Sequence, residues 1–394
     1  MLQTPIYLDN HATTRCDPRV VEAMLPYFSE VFGNAASTSH QFGWDARNAV
    51  DEARQQIASL LNTNPRSVVF TSGATEASNL AIKGVIQPLL RAGDTKRPHV
   101  ITSAVEHRAT LDPVKRLRRT GADATVLPVD EFGQVSPQQV ADALRDETSL
   151  VSIMLANNEI GTINSIAEIA EICHGRNVPL HCDAVQAVGR IPVDLQNLKA
   201  DLVSVSAHKL YGPKGIGALI VRRGNRQARP EPLLDGGGHE NGLRSGTLPV
   251  PLIIGFGHAC LLASNECSDE ATRLRKLQDE LWERLSTQLD GLHLNGHPTE
   301  RLPGNLNVSF EGIDGDVLMN SLTEIAVSSG SACTSAESEP SHVLRAIGRS
   351  DELTRASLRF GIGRFNTCEE INFAAEYVVK TVQRLRNSSS AKHR

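Results

Sequence analysis

The sequence predicts an α/β fold, with a large domain built on a mostly parallel sheet and a smaller α+β domain. Short apolar runs alternate with helical stretches from Val68 to Arg223, and this alternation is typical of a parallel sheet with helices on both faces. After about Ala263 the alternation stops and long helical patterns follow. The 394 residues, 40% of them hydrophobic, suffice for one large or two moderate domains.

Seven β-prone runs are the predicted strands of the large domain. They span residues 68–70, 100–102, 125–127, 151–154, 180–182, 202–205 and 218–221. One intervening helix is predicted to begin at Pro137, with Ser136 as its cap, because proline suits the first helical turn and serine the cap. Another is predicted from residue 166 to about 174.

The second half of the chain predicts the smaller domain. A long amphipathic helix is expected near 269–289, with strands at 306–310 and 357–360. In a final helix, one face carries apolar side chains at helical spacing, namely Ile371, Ala374, Val378, Val382 and Leu385. We therefore predict a large domain at 15–262, a small domain at 1–14 and 263–386, and a disordered polar tail at 387–394.

Charge and leader patterns exclude several classes of protein. The net charge is −5 and the isoelectric point is about 6.2, so the chain lacks the basic footprint of a nucleic-acid-binding protein. The N-terminus reaches Tyr7 and Leu8 without a basic and apolar leader. No uninterrupted apolar run reaches about 18 residues. We expect a cytoplasmic protein without a membrane anchor.

The seven cysteines predict neither disulfides nor a metal site. Their number is odd and no Cys-x-x-Cys pair occurs, which argues against a disulfide framework and a zinc ribbon. Most are expected to be small buried side chains. Cys333 differs because small and polar residues flank it on both sides, a composition typical of an exposed loop.

Two strand ends carry the strongest chemical signal. Asp183 follows the run at 180–182, and Lys209 closely follows the run at 202–205. Open α/β sheets bind ligands at the carboxyl ends of their strands, so both side chains are expected in one crevice. The pair suits pyridoxal phosphate, with the lysine as covalent partner and the carboxylate holding the ring nitrogen protonated. Taken alone, a lysine after a strand is more often solvated, and an aspartate at a strand end more often forms a turn or caps a helix.

Seven short motifs occur together and in a fixed order. They are NHATT at 10–14, TSGATE at 71–76, EH at 106–107, NNE at 157–159, SAHK at 206–209, RSGT at 244–247 and SSGSACTS at 328–335. This pattern resembles the cysteine desulfurases of the NifS/IscS type, which are pyridoxal phosphate enzymes with the aminotransferase fold (fold type I). The resemblance runs from about Ile6 to about Leu385.

The resemblance implies how the cofactor is held. Lys209 is expected to bind it covalently, Asp183 to pair with its ring nitrogen and His107 to stack on the ring and move protons. The phosphate is expected to contact Ala74, Thr75, Ser206 and His208. Ala74 and Thr75 also follow a predicted strand and turn and open a predicted helix, an arrangement that itself predicts an anion cradle. Thr247 is expected to reach the phosphate of a neighbouring subunit, which implies a homodimer.

The remaining site residues are expected to contact the phenolic oxygen of the cofactor and the carboxylate of the substrate. Gln186 is expected to bind the phenolic oxygen of the cofactor, and Asn158 to lie near that oxygen and the substrate carboxylate. Arg359 is expected to clamp the carboxylate, since a guanidinium can bind it with two hydrogen bonds.

The implied reaction converts L-cysteine to L-alanine. Cys333 is expected to take the sulfur as a persulfide and pass it to an acceptor protein, for iron-sulfur clusters, another sulfur cofactor or thiolated tRNA. No resident metal is expected, although Cys333 could ligate a transient iron-sulfur cluster. Two alternatives remain: a pyridoxal phosphate C–S lyase that forms pyruvate from cysteine or cystine, and a selenocysteine lyase.

Overall fold

The structure is a computed structural model that describes residues 2–92, 97–224, 228–329 and 340–392. Its strands are β1 Ile6–Tyr7, β2 Val68–Thr71, β3 His99–Ser103, β4 Asp123–Leu127, β5 Thr148–Met154, β6 Leu180–Asp183, β7 Leu202–Ser206, β8 Gly217–Val221, β9 Leu292–Asn295, β10 Asn305–Phe310, β11 Ile325–Ala326, β12 Ser328–Ser329 and β13 Ser357–Gly361. Its α-helices are α1 Pro18–Met24, α2 Pro26–Ser29, α3 Gln41–Leu60, α4 Ala74–Ala92, α5 Arg108–Arg119, α6 Pro137–Ala143, α7 Ile166–Gly175, α8 Leu195–Leu198, α9 Val250–Ser286, α10 Gly315–Ser321, α11 His342–Ala346, α12 Asp351–Arg355 and α13 Cys368–Lys392.

The seven strands predicted for the large domain form one sheet. Their order is β2-β8-β7-β6-β5-β3-β4, and β8 alone runs antiparallel to its two neighbours. The other pairings are parallel, so β3, β5, β6 and β7 end at one edge of the sheet. The mostly parallel sheet predicted from the sequence is confirmed.

A long helix, α9, packs across this sheet domain and beyond it. Its first half buries Ile253, Phe256 and Ala259 in the core with α3, and its second half buries Leu274 and Leu281 in a separate core. The helix was predicted only near 269–289. In the structure it begins at Val250. The prediction missed its N-terminal part because that part is mostly apolar and faces a core on most sides, so that helical periodicity is weak there.

A second apolar core lies outside the large sheet. It joins Ile6 and Leu8 of the N-terminal segment to residues of α9, β10, β13 and α13, around the four-stranded sheet β12-β13-β10-β9. This separate core supports the domain division predicted from the sequence, which we keep as a proposal. The predicted boundary at 262 lies inside α9.

The final helix is longer than predicted. The polar residues from Asn387 were predicted to be disordered, whereas α13 continues to Lys392. Ser388 there donates a hydrogen bond to the carbonyl of Arg384. Once a helix is nucleated, each added residue gains one backbone hydrogen bond, so the helix can continue at a small cost in free energy even where its side chains contact no core.

Helix α9 is also the one described helix that is long and apolar enough to cross a bilayer by length and composition. Half of its apolar window, 50%, is buried inside the fold. The core helix of a globular protein has the same composition, so this feature is weak support for a membrane span.

Candidate active site

A cavity of about 540 Å³ opens at the carboxyl ends of the central strands. Its walls come from the ends of β5, β6 and β7, from the turn before α4, and from the N-terminal segment. The lining residues are Ala12, Thr13, Ser72, Gly73, Ala74, Thr75, Glu76, His107, Met154, Asn158, Asp183, Val185, Gln186, Ser206, His208, Lys209, Lys214 and Gly215. Nine of the eleven site residues predicted at described positions are among them; Thr247 and Arg359 are not.

Asp183 and Lys209 meet in this cavity as the sequence predicted. Asp183 is the last residue of β6, and Lys209 lies in a single 3₁₀ turn directly after β7, the neighbouring strand. Asp183 is 6% exposed. Burial raises the pKa of its carboxyl to about 6, against the lowering effects of the Val185 amide hydrogen bond and of Lys209. A cationic partner in the cavity would favour the ionised form.

The N-terminal segment holds the lysine. Nζ of Lys209 donates hydrogen bonds to the carbonyls of His11, at 2.6 Å, and Ala12, at 2.7 Å. The next residue of the segment, Thr13, pairs its hydroxyl with Nδ1 of His208 at 3.1 Å. The sequence offered the motif at 10–14 as a signal, but it gave no role to these residues. The carbonyls of His11 and Ala12 therefore position the amine in the cavity.

The turn before α4 forms an anion cradle. Helix α4 begins at Ala74, so the amides of Ala74 and Thr75 belong to a first turn that makes no intrahelical hydrogen bonds. Gly73 has a φ of 151°, and β8 approaches so closely that a Cβ on Gly217 would lie 2.8 Å from the Gly73 Cα. Both glycines are needed here because a side chain would clash or strain the turn.

His107 lines the cavity as a neutral imidazole. Its Nδ1 accepts a hydrogen bond from the Ala109 amide at 3.0 Å, so the ring proton is assigned to Nε2. Burial, and after it the charge of Lys209, lower the pKa of His107 to about 4. The ring is therefore uncharged at neutral pH.

The two predicted substrate ligands are directly connected. Arg359 Nη1 donates to the carbonyl of Asn158 at 2.9 Å, and Nη2 donates to Asp9 at 2.7 Å and to Ser328 at 3.1 Å. Asn158 lines the cavity. Arg359 does not, and its buried Nε has no hydrogen-bond partner among the described residues. A clamp on a carboxylate would thus require Arg359 to exchange a partner.

Two buried acids beside these residues were not predicted from the sequence. Burial raises the pKa of Glu106, which precedes His107, to about 8 and that of Glu159, which follows Asn158, to about 7. Glu106 Oε1 accepts hydrogen bonds from the Met154 amide and the Ser103 hydroxyl. Their place in the EH and NNE motifs was the available signal, although spacing alone does not reveal burial.

Thr247 lies on an exposed loop and does not line the cavity. The loop is tied to the cradle by Arg244, whose Nε donates to Glu76 at 2.9 Å while Glu76 accepts from the Ser72 amide at 2.8 Å. A contact between Thr247 and a neighbouring subunit stays a prediction.

Cys333 lies outside the described residues. The six other cysteines, at 16, 173, 182, 260, 267 and 368, are described and free of disulfides. The pKa of each thiol is raised: chiefly by burial at the first five, and by a hydrogen bond to Glu280 at Cys368. None of these six is activated as a thiolate.

The cavity fits pyridoxal phosphate. A buried carboxylate suits a protonated pyridine nitrogen, the amine of Lys209 suits the aldehyde, and the cradle at α4 with Ser206 and His208 suits a phosphate. Among the described residues, no group of three or more His, Cys, Asp or Glu side chains is arranged to hold a metal ion.

Comparisons with known proteins give consistent matches. The family model described as Aminotransferase class-V matches residues 6–373. A cysteine desulfurase IscS from Aeromonas salmonicida (strain A449) is 51% identical over 98% of this chain and 95% of its own. One from Anaeromyxobacter sp. (strain Fw109-5) is 50% identical with the same coverage. A solved NifS-like protein is 36% identical, with a TM-score of 0.88 over 96% of this chain and 100% of its own.

Proposed function

We propose residue roles for a chain that belongs to the aminotransferase class-V family and is a pyridoxal-phosphate-dependent cysteine desulfurase. The family resemblance, fold class and cofactor predicted from the sequence are confirmed by matches over nearly the whole chain. The observation that carries the residue roles is the meeting of Asp183 and Lys209 in one cavity, at the ends of neighbouring strands. No observation favours the C–S lyase or selenocysteine lyase alternative.

The cofactor is assigned to the residues that line the cavity. Ala74, Thr75, Ser206 and His208 would hold its phosphate, Asp183 its ring nitrogen and Gln186 its phenolic oxygen. When bound, pyridoxal phosphate supplies an electron sink for negative charge at the substrate Cα.

Lys209 Nζ is proposed to take the Cα proton of the substrate. The amine is held by two backbone carbonyls in the same cavity, and a base must lie within hydrogen-bond reach of the proton it removes. His107 is proposed to face the ring as a neutral donor through Nε2. Its pKa rises when Lys209 is uncharged, because the charge of Lys209 is one of the causes that lower it.

Cys333 is proposed to take the sulfur. Its thiolate forms an S–S bond with the substrate sulfur, the substrate C–S bond breaks, and its electron pair stays with the carbon, which is protonated to give alanine. The raised pKa values of the six described cysteines leave Cys333 as the candidate thiolate. Asn158 and Arg359 are proposed to bind the substrate carboxylate.

The sulfur acceptor, the cellular location and the oligomeric state are also proposals. The persulfide would pass to an acceptor protein, such as an iron-sulfur scaffold or a sulfur carrier, and the enzyme would act as a cytoplasmic homodimer. The exposed Thr247 loop, anchored to the phosphate cradle through Glu76, supports a subunit contact close to the site.

The test is product identity with L-cysteine and a thiol reductant. We expect alanine and sulfide in equal amounts. Pyruvate and ammonia would instead establish the lyase reaction. Selenocysteine and cystine assayed in parallel would measure the two alternative substrates.

A further inference from the structure

Helix α11 is the first helix after the chain segment that contains Cys333, and its N-cap side chain contacts a residue beside the site. Ser341 is its N-cap residue, and its hydroxyl accepts from the Leu344 amide at 3.2 Å. The same hydroxyl donates a hydrogen bond to Oε2 of Glu159. Glu159 directly follows Asn158, a wall of the cavity.

A second polar contact ties the helix to the loop of the site histidine. Nε2 of His342 lies 2.9 Å from the carbonyl oxygen of Glu106, and a carbonyl can only accept, so Nε2 is the donor. Glu106 directly precedes His107. The helix is thus joined to both loops that carry predicted site residues.

Apolar packing completes the attachment. Val343, Leu344 and Ile347 form one buried cluster with Val105 and Ile160. Val105 belongs to the loop of His107 and Ile160 to the loop of Asn158. Because interiors are close-packed and transmit displacement, the position of α11 follows the position of these loops.

The upstream end of the same segment is held at the predicted carboxylate clamp. Ser328 and Ser329 of β12 pair with Arg359 and Leu358 of β13. The Ser328 hydroxyl also accepts from Arg359 Nη2 at 3.1 Å. The described residues before and after the Cys333 segment therefore both contact residues beside the cavity.

We propose that Glu159 and Ser341 are positioning residues for the sulfur-transfer step, setting where the Cys333 segment joins the body of the enzyme relative to the substrate. This inference rests on the proposed role of Cys333 as the nucleophile. The two residues act through the placement of Cys333 and touch neither the substrate nor the cofactor.

The experiment separates the two halves of the reaction in the holoenzyme. Ser341→Ala and Glu159→Ala are mixed with L-cysteine, and three quantities are followed: exchange of the Cα proton with deuterium, the persulfide as one added sulfur on the intact protein by mass spectrometry, and alanine. Persulfide and alanine formation should fall about 10-fold, the effect of losing one buried hydrogen bond. Proton exchange and the visible spectrum should stay within about twofold of the parent.

Matched variants identify the contact. Ser341→Thr keeps a hydroxyl and should restore persulfide formation. Ser350→Ala removes the equivalent N-cap of α12, where the Ser350 hydroxyl accepts from the Leu353 amide, and should leave all three quantities unchanged. If Ser341→Ala does not fold, Ser341→Gly removes the hydroxyl at a smaller capping cost.

Two results would overturn the inference. One is persulfide formation at the parent rate in both Glu159→Ala and a folded Ser341 variant. The other is an equal fall in proton exchange and persulfide formation, which would make the pair a support of the whole site. Failure of the proposed function looks different, because Cys333→Ala would then still produce alanine at the parent rate.

Discussion

Gln186 and His11 exchange two hydrogen bonds across the wall of the active site. Nδ1 of His11 lies 3.0 Å from Oε1 of Gln186, and Nε2 of Gln186 donates to the carbonyl of His11 at 3.0 Å. An amide oxygen only accepts, so Nδ1 carries the ring proton. The same carbonyl of His11 accepts from Lys209. The pair therefore joins the residues after β6 to the segment that holds the lysine amine.

Gln186→Ala is expected to weaken pyridoxal phosphate binding about 10-fold, because it removes a proposed cofactor ligand and leaves a buried polar group of His11 unpaired. Titration of the apoprotein with the cofactor, followed by fluorescence, measures this change. Gln196→Ala is the control, since Gln196 bonds to Asn62 at an exposed position. An unchanged dissociation constant for Gln186→Ala would contradict the assignment.

Lys209→Ala is expected to bind the cofactor without a covalent link and to lose turnover by at least about 1,000-fold, as for loss of a covalent and basic catalyst together. Dialysis should remove its colour but leave the parent yellow. Lys380→Ala, at an exposed helical ion pair, serves as the control. Alanine release by Lys209→Ala at the parent rate would refute its role.

Glu106 is expected to make the unfolding free energy depend on pH. Its pKa is raised to about 8, whereas an unfolded glutamate titrates near about 4.3. The folded state therefore binds the proton more tightly, and its contribution to stability is complete below pH ~4 and lost as the pH rises toward 8. Relative to the parent, Glu106→Gln should show a smaller loss of stability between pH ~5 and ~8.

Urea denaturation at several pH values tests this slope. The comparison uses slopes rather than absolute values, since the amide adds a constant cost at every pH. Glu376→Gln, on the exposed face of α13, should keep the slope of the parent. Parallel pH profiles for the parent and Glu106→Gln would mean that Glu106 titrates as an ordinary glutamate.

Cys333→Ala is expected to exchange the Cα proton of cysteine but release almost no alanine, because cofactor chemistry at Lys209 needs no thiol. A persulfide should appear on the parent after a cysteine pulse without reductant, and be missing from the variant, by intact mass spectrometry. Alanine variants of Cys16, Cys173, Cys260, Cys267 and Cys368 should change kcat by less than about twofold, given their raised pKa values.

Cys182 is the least secure of the control positions. It is fully buried in β6 beside Asp183, and a cavity there can tilt the carboxylate. Normal alanine production by Cys333→Ala would replace the desulfurase mechanism with elimination.

Thr247→Ala is expected to lower cofactor affinity only in the assembled protein, if the residue reaches the phosphate of a neighbouring subunit. Light scattering should give a dimer for the parent, and the affinity difference between parent and variant should vanish in a monomeric preparation. An active monomer with full cofactor affinity would remove the basis for a shared site.

The sequence by itself determined the sheet and the crevice that Asp183 and Lys209 share. Seven β-prone runs, the punctuation between them and the strand-end positions of Asp183 and Lys209 predict a parallel sheet with a ligand crevice, because these features are local and periodic. The motif order added the family, and it predicted roles for the remaining site residues. Chain-local patterns were weakest at α9, whose apolar half lacks a clear period, and at the end of α13.

Only the tertiary structure decided which groups contact Lys209 and the buried acids of the site. The carbonyls of His11 and Ala12 meet Lys209 from a segment about half the chain away in sequence. Glu159 meets Ser341 across a similar separation. Backbone acceptors carry no side-chain signature, and the burial that raises the pKa of Glu106 and Glu159 comes from neighbours remote in sequence. Contacts of this kind depend on packing in three dimensions, which no short sequence pattern specifies.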